Sequence, residues 1–322
     1  MGPGALTQLA DEVRALNANK VLIVTDQGLI EAGLVKKAED LLQKADIKYA
    51  VFKDVEADPR YEIVDDCVAM IRNEKADLIV GIGGGSPIDI AKVSAVMATN
   101  KGPISEYFGI DLVPDPGLPT LIIPTTAGTG SEVTPIAILS DHTEKLKKGI
   151  VSQYLFPSAA LLDPELTIGL PAHVTAATGM DALIHAVEAF TSKNATSITD
   201  MLARQAMQLI AKNLRTAYAD GSNLTARSNM LEGSLLAGMA FCNAGVTAVH
   251  AFAYPIGAEF HIPHGVANSI MLTPVMEFNQ LGNLEKFAKM AGYLGENITG
   301  LSTREAANVA VEAMRTLTAD LR

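Results

Sequence analysis

The sequence predicts an α/β N-terminal domain built on a parallel Rossmann-like sheet, followed by an all-helical C-terminal domain. Three observations predict it. Up to about residue 163, short β-branched runs alternate with segments of helical periodicity, the signature of βαβ units and of a parallel sheet covered on both faces. Two glycine-rich stretches directly follow strands, and ligands in such sheets bind beyond the strand C-termini. From Pro171 onward the texture changes to Ala, Leu and Met at helical spacing. The division falls near Pro164 to Pro171, where LDPELTIGLP places two helix breakers in eight residues, and gives domains 1–166 and 167–322.

In chain order, Lys20 to Val24 (KVLIV), Lys48 to Phe52 (KYAVF), Asp77 to Ile82 (DLIVGI) and Thr120 to Ile123 (TLII) are apolar runs of strand length, suited to burial on both faces. Amphipathic segments fill the gaps between the first three. In the second half, apolar periodicity predicts helices near 171–192, 199–218, 226–243 and 304–320. No internal repeat and no low-complexity segment interrupts this order.

Composition excludes several classes. Hydrophobic residues make up 48% of the 322 and charged residues 19%, enough apolar surface to offset the entropy of ordering the chain. A net charge of −11 is the wrong sign for coating a nucleic acid or an anionic membrane, so neither is expected as a partner. Cys67 and Cys242 are too few for a disulfide framework or a thiolate zinc site, which fits a reducing compartment, with the cytoplasm as the expectation. No signal peptide or membrane span is expected.

The segment Gly83-Gly84-Gly85-Ser86-Pro87-Ile88-Asp89-Ile90-Ala91-Lys92 follows the DLIVGI strand and opens a helix. Glycines there let backbone N–H groups approach a phosphate, and the helix N-terminus adds partial positive charge. Ser86 is the expected N-cap, with Pro87 at the first helical position and Asp89 closing a variant of the capping box. The spacing is not GxGxxG, and a ligand-free tight turn would have the same composition. A second segment, Thr125-Thr126-Ala127-Gly128-Thr129-Gly130-Ser131-Glu132, again follows a strand, and its hydroxyls can hydrogen-bond a pyrophosphate or amide. Ser131 lies in no GxSxG elbow, which argues against a serine hydrolase. Asp26, straight after the first strand, is placed either to hold an adenosine ribose and repel a 2′-phosphate or to cap a helix.

Asp181 and His185 stand at i and i+4, on one face of a predicted helix. Downstream, His250 and His264 lie 14 residues apart, with His261 between them. One carboxylate with several imidazoles suits iron(II) or zinc better than magnesium, which prefers an all-oxygen shell. Glycine loops in one half and a metal set in the other lead us to expect chemistry at the cleft between them.

The segments GGGSPIDIAK, TTAGTGSEVTP, ATGMDALIHAVEAF and HAFAYPIGAEFHIPHGVAN span residues 83–268. In this order they resemble the iron-containing (group III) alcohol dehydrogenases with the dehydroquinate-synthase-like fold. The resemblance implies an NAD-dependent enzyme that moves hydride between a small alcohol and its aldehyde or ketone, the metal polarising the substrate oxygen. It implies metal ligation by Asp181, His185, His250 and His264. It also implies cofactor contacts from Asp26, Gly84, Gly85, Ser86, Asp89, Thr125, Thr126, Thr129 and Lys147, and a homodimer or larger homo-oligomer. Where many members carry a further histidine, four positions after the third ligand, this chain has Tyr254; Tyr254 and His261 are therefore the candidates for handling substrate and proton. The chain resembles a member trimmed at both ends. A hydroxyacid–oxoacid transhydrogenase using the same site, a dehydroquinate-synthase-type lyase and an inactive subunit that binds nucleotide or assembles are the alternatives. No cluster of basic residues near the ligands supports the lyase.

Overall fold

The computed structural model describes residues 1–260 and 262–321. Two compact units emerge: Met1–Thr126 with Ser131–Thr167, and Ala127–Gly130 with Ile168 onward. The division expected from sequence left residues 127–130 in the first domain; their contacts place these four with the second unit.

The first unit holds strands β1 (Lys20–Asp26), β2 (Lys48–Val55), β3 (Leu78–Gly83), β4 (Gly109–Ile110), β5 (Thr120–Pro124), β6 (Ile136–Asp141), β7 (Leu146–Val151) and β8 (Ala159–Ala160). Its helices are α1 (Leu9–Ala15), α2 (Gln27–Glu31), α3 (Leu34–Lys44), α4 (Ile63–Glu74) and α5 (Gly85–Met97). The main sheet runs β2-β1-β3-β5-β8, every pair parallel. Successive strand residues point to opposite faces, and both faces are covered. Leu22, Val24, Ile79 and Ile122 pack with Val64, Cys67 and Ile71 of α4 and with Ile88 and Ala91 of α5. Val21, Ile23, Leu78, Val80, Leu121 and Ile123 pack with Val35, Ala38 and Leu42 of α3. A smaller sheet, β4-β7-β6, lies beside it in the chain's order and was not expected; β6 and β7 pair antiparallel. Strand order reverses between β1 and β3, so the crevice beyond their carboxyl ends is the topological switch point of the sheet.

The second unit contains helices α6 (Ala172–Thr191), α7 (Ser197–Ala219), α8 (Leu224–Ala244), α9 (Ala248–Phe260), α10 (His264–Asn279), α11 (Leu284–Tyr293) and α12 (Thr303–Asp320). Local chemistry starts several of them. Thr196 and Thr199 form a capping box on α7, Ser302 and Glu305 one on α12, and the Asn223 side chain caps α8. Two glycines set the approach of the helices that matter below. A Cβ on Gly179 would collide with Leu214 of α7, and one on Gly265 would collide with the Ala177 carbonyl of α6. Gly265 therefore lets the start of α10 touch α6 at the turn just before Asp181. No single helix among the described residues is long and apolar enough to cross a membrane.

Candidate metal centre and cofactor loops

Three helices of the second unit each present side chains one turn apart. Asp181, His185 and Glu188 lie along one face of α6, His250 and Tyr254 along α9, and His264 and Asn268 along α10. Ligand atoms of Asp181, His250 and His264 all lie within 4.8 Å of one another. Asp181 Oδ1 is 3.6 Å from His250 Nε2 and 3.7 Å from His264 Nε2. Ligands about 2.1 Å from a tetrahedral ion stand roughly 3.4 Å apart, so the spacing suits a borderline divalent ion.

The surroundings orient these groups. Glu188, fully buried, accepts from His250 Nδ1 at 2.5 Å, from Thr247 Oγ1 at 2.6 Å and from the Val249 backbone N–H at 2.7 Å. One carboxylate thus satisfies the start of α9 and holds the His250 proton on Nδ1, leaving Nε2 turned toward Asp181 and His264. Burial alone would lift the Glu188 carboxyl, but these donors outweigh it and hold it below its ordinary range. Asp181 behaves likewise: burial opposes its charge, yet the imidazoles of His185, His264 and His250 keep it ionised well below the usual carboxylate range. Burial also lowers the proton affinity of His250, while hydrogen bonding and charge from Asp181 and Glu188 raise it by more. A second proton would sit on Nε2, and 3.6 Å to Asp181 is too long for a hydrogen bond. The Asn268 amide nitrogen 3.1 Å from Nε2 calls for a lone pair there, so the contacts are those of the neutral imidazole even though its proton affinity is raised.

His185 does not join the three-atom group. Its ring is stacked between Phe241, at 4.2 Å between centroids, and His250, at 4.6 Å, and its Nδ1 stands 3.3 Å from the Gly128 carbonyl. Burial drives its pKa down to about 4, so the ring is neutral. A proton on Nδ1 donated to Gly128 leaves Nε2 unprotonated. Tyr254 stacks on His264, ring centroids 5.4 Å apart and 9° from parallel, and meets His250 edge-on. His264 is the most exposed of the three clustered groups, at 25% of its side chain. His261 lies outside the described residues.

Two residues here escaped the sequence reading. Glu188 falls three residues after His185 and Asn268 four after His264, so helical spacing from a candidate ligand was the available signal. The Asn268 amide nitrogen stands 2.7 Å from Asp181 Oδ1 and 3.1 Å from each of His250 Nε2 and His264 Nε2.

In the first unit, Asp26, Gly84 to Ser86 and Thr126 end three neighbouring parallel strands at the switch point. Gly84, not Ser86, is the N-cap of α5, with extended backbone and no side-chain bond. Ser86 lies inside the first turn, because helical hydrogen bonding starts at Gly84, whose carbonyl accepts from Ile88 N–H. A Cβ on Gly84 would come within 3.4 Å of the Thr126 side chain. Gly84, Gly85, Ser86, Thr126 and Thr129 are partly exposed.

Asp89 and Thr125 are buried instead, and their hydrogen bonds tie the loops together. Asp89 accepts from Ser131 Oγ at 2.6 Å and from the Ile138 N–H at 2.8 Å, while Thr125 N–H donates to the Gly83 carbonyl. Lys92, also buried, donates among Ser131 Oγ and the carbonyls of Ser131, Thr134 and Ile136. Asp26 Oδ1 caps α2 by accepting from Leu29 N–H at 2.9 Å, the capping role left open by the sequence. Lys147, on β7, donates to Asp58 at 2.6 Å.

Comparison with known proteins agrees with this architecture. Residues 1–164 match the family described as iron-containing alcohol dehydrogenase, and residues 175–322 match its C-terminal counterpart. The chain is 48% identical to a 1,3-propanediol dehydrogenase of Klebsiella pneumoniae, over 99% of this chain and 83% of that protein. It superposes with a TM-score of 0.97 on the crystal structure of a 1,3-propanediol oxidoreductase, at 47% identity, covering 99% of this chain and 84% of the other. A sulfoacetaldehyde reductase from Bifidobacterium kashiwanohense, solved in complex with NAD+, gives a TM-score of 0.89 at 33% identity, covering 99% of this chain and 83% of the other. The chain belongs to the iron-containing alcohol dehydrogenase family.

Proposed function

We propose that this chain is an NAD-dependent alcohol dehydrogenase that interconverts a small primary or secondary alcohol and its carbonyl compound. Iron(II), or zinc in its place, would be held by Asp181, His250 and His264, with the unprotonated Nε2 of His185 as the fourth donor. The observation that carries this reading is the convergence of one carboxylate and two imidazole nitrogens on one point, with the His250 tautomer fixed by Glu188. A bound divalent ion would polarise the substrate oxygen as a Lewis acid, and the nicotinamide would carry the hydride.

The chain's own residues do the positioning. Asp181 supplies the negative charge of the donor set, and Glu188 keeps the His250 lone pair aimed at it. Tyr254, flat against His264, offers a phenol that orients substrate by donating a hydrogen bond. Gly84, Gly85, Ser86, Thr126 and Thr129 supply backbone N–H groups and hydroxyls for the cofactor, and Asp26 selects NAD over NADP. Lys147 joins them by exchanging Asp58 for the cofactor. The small-alcohol class follows from the relatives, a propanediol dehydrogenase and a sulfoacetaldehyde reductase.

Metal analysis of the purified chain, combined with a panel of alcohols and aldehydes followed at the NADH absorbance, tests the reading. Expected are about one divalent ion per chain and NADH formation that stops on chelation and returns with iron(II) or zinc. Full activity in a chelated, metal-free preparation would overturn it.

A further inference from the structure

Asn268 sits at the centre of the proposed metal centre, fully buried. Its Nδ2 is within 3.1 Å of all three clustered donor atoms, Asp181 Oδ1, His250 Nε2 and His264 Nε2. Those three are acceptors in this geometry: a carboxylate oxygen, an imidazole nitrogen whose partner nitrogen serves Glu188, and a second imidazole nitrogen. An amide oxygen in the same place would put lone pair against lone pair, so the acceptors themselves fix which end of the carboxamide points inward. The other end pays for it. Asn268 Oδ1 is buried with no hydrogen-bond partner, a state that folded proteins avoid.

An NH2 group carries two hydrogens and partial positive charge, and here it meets three acceptors spaced as ligands around a cation. We propose that the Asn268 amide is an internal stand-in for the metal ion, which holds the ligand set together in the metal-free protein and has to withdraw when the ion binds. Asn268 is then a positioning residue of the metal-free state and a competitor of the ion, not a ligand. It stabilises the empty centre, keeps Asp181 from facing the two imidazoles without a donor, and weakens apparent metal affinity by the same free energy. This rests on the metal centre proposed above.

The test compares the wild-type chain with Asn268→Leu, which keeps the volume and removes both donors, using zinc as an air-stable probe ion. Melting temperatures are measured with and without zinc, and zinc affinity by competition with a chromogenic chelator. The metal-free variant should melt lower than metal-free wild type, the zinc-loaded forms should melt close together, and zinc affinity should tighten by about tenfold, the scale of one lost buried hydrogen bond. A residue that merely packs would lower both melting temperatures equally and leave the zinc-induced shift unchanged; that result overturns the proposal, as does weaker zinc binding, which would make Asn268 a ligand. Asn268→Val guards against a Leu variant that fails to fold. It also lacks the inward donors and offers the ion no new ligand, and it should show the same widened gap. If wild type itself takes up no zinc or iron(II), the metal-centre reading fails; if wild type binds and the gap does not widen, only the stand-in role fails.

Discussion

The Asp26 carboxylate does two things that substitution can separate. Its Oδ1 caps α2, and its charge stands at the carboxyl end of β1, beside the switch point. Asp26→Asn retains an amide oxygen for the cap but loses the charge. We expect an unchanged melting temperature and a loss of discrimination against NADP by roughly ten- to a hundredfold, the weight of a like-charge contact of about 1–3 kcal/mol. Steady-state kinetics with both cofactors check it; wild type that uses NAD and NADP equally would contradict the assignment. Glu188 is the second residue whose weight can be measured. It accepts from Nδ1 of the proposed ligand His250, and loss of such outer partners costs about 10- to 100-fold in metal affinity. Glu188→Gln, which accepts less strongly and adds an N–H donor, should weaken zinc binding toward the lower end of that range. Unaltered affinity in a chelator competition would remove Glu188 from the site. Both Glu188 and Asn268 were hidden from the sequence for one reason: an acid or amide in a helix signals nothing until a neighbouring turn is known to carry a ligand.

At the scale of elements, α5 is buried along its length, and its side chains pin Ser131 at the end of the second glycine segment and the stretch that leads into β6. Lys92 and Asp89 grip Ser131, Thr134, Ile136 and Ile138, so the shape of the loop depends on charges sealed in the core. Glu132 next to them is buried, with Oε1 unpartnered. Burial lifts its carboxyl from 4.5 to about 7, and burial lowers Lys92 to about 8. Between pH 4.5 and about 7 the folded chain therefore keeps a proton on Glu132 that the unfolded chain releases, so stability falls as pH rises through that window and levels off above it. The Lys92 penalty is present below about pH 8 and is relieved toward 10.5, a separate window. Glu132→Gln should flatten the acid slope and stabilise the chain above pH 7 by on the order of 3 kcal/mol. Urea melts at pH 5 and 7.5 measure it, and parallel wild-type and variant curves would refute it. Elements with one dominant signal were legible in sequence: the β-branched runs of β1, β3 and β5, and the capped helices α7, α8 and α12. The β6–β7 hairpin was not, since β7 carries Lys147 and Lys148 and lacks alternation. Helices α9 and α10 were not either, since Pro255 and Pro274 lie inside them and break the expected pattern.

At the scale of the whole molecule, the two proposed ligands address different units. The donors Asp181, His250 and His264 come from three helices of the second unit, joined through 84 residues of chain from first to last ligand. The switch-point loops that receive Asp26, Gly84 to Ser86 and Thr126 belong to the first. A ligand that binds only the folded form stabilises by RT ln(1 + [L]/Kd), about 4 kcal/mol at a thousandfold excess, and it acts first on the unit that contains its site. Zinc should therefore protect amides of α6, α9 and α10 from hydrogen exchange, and NAD should protect those following β1, β3 and β5. His264→Ala removes one of three converging donors and leaves the residues of the switch point unchanged, so it should abolish the zinc effect and leave NAD protection in place. Asp26→Asn should leave the zinc effect intact. Exchange mapped by mass spectrometry on wild type and both variants, each with zinc, with NAD and with neither, separates the outcomes. Zinc protection surviving in His264→Ala would break the ligand assignment, and NAD protection confined to α9 and α10 would place the cofactor away from the glycine loops.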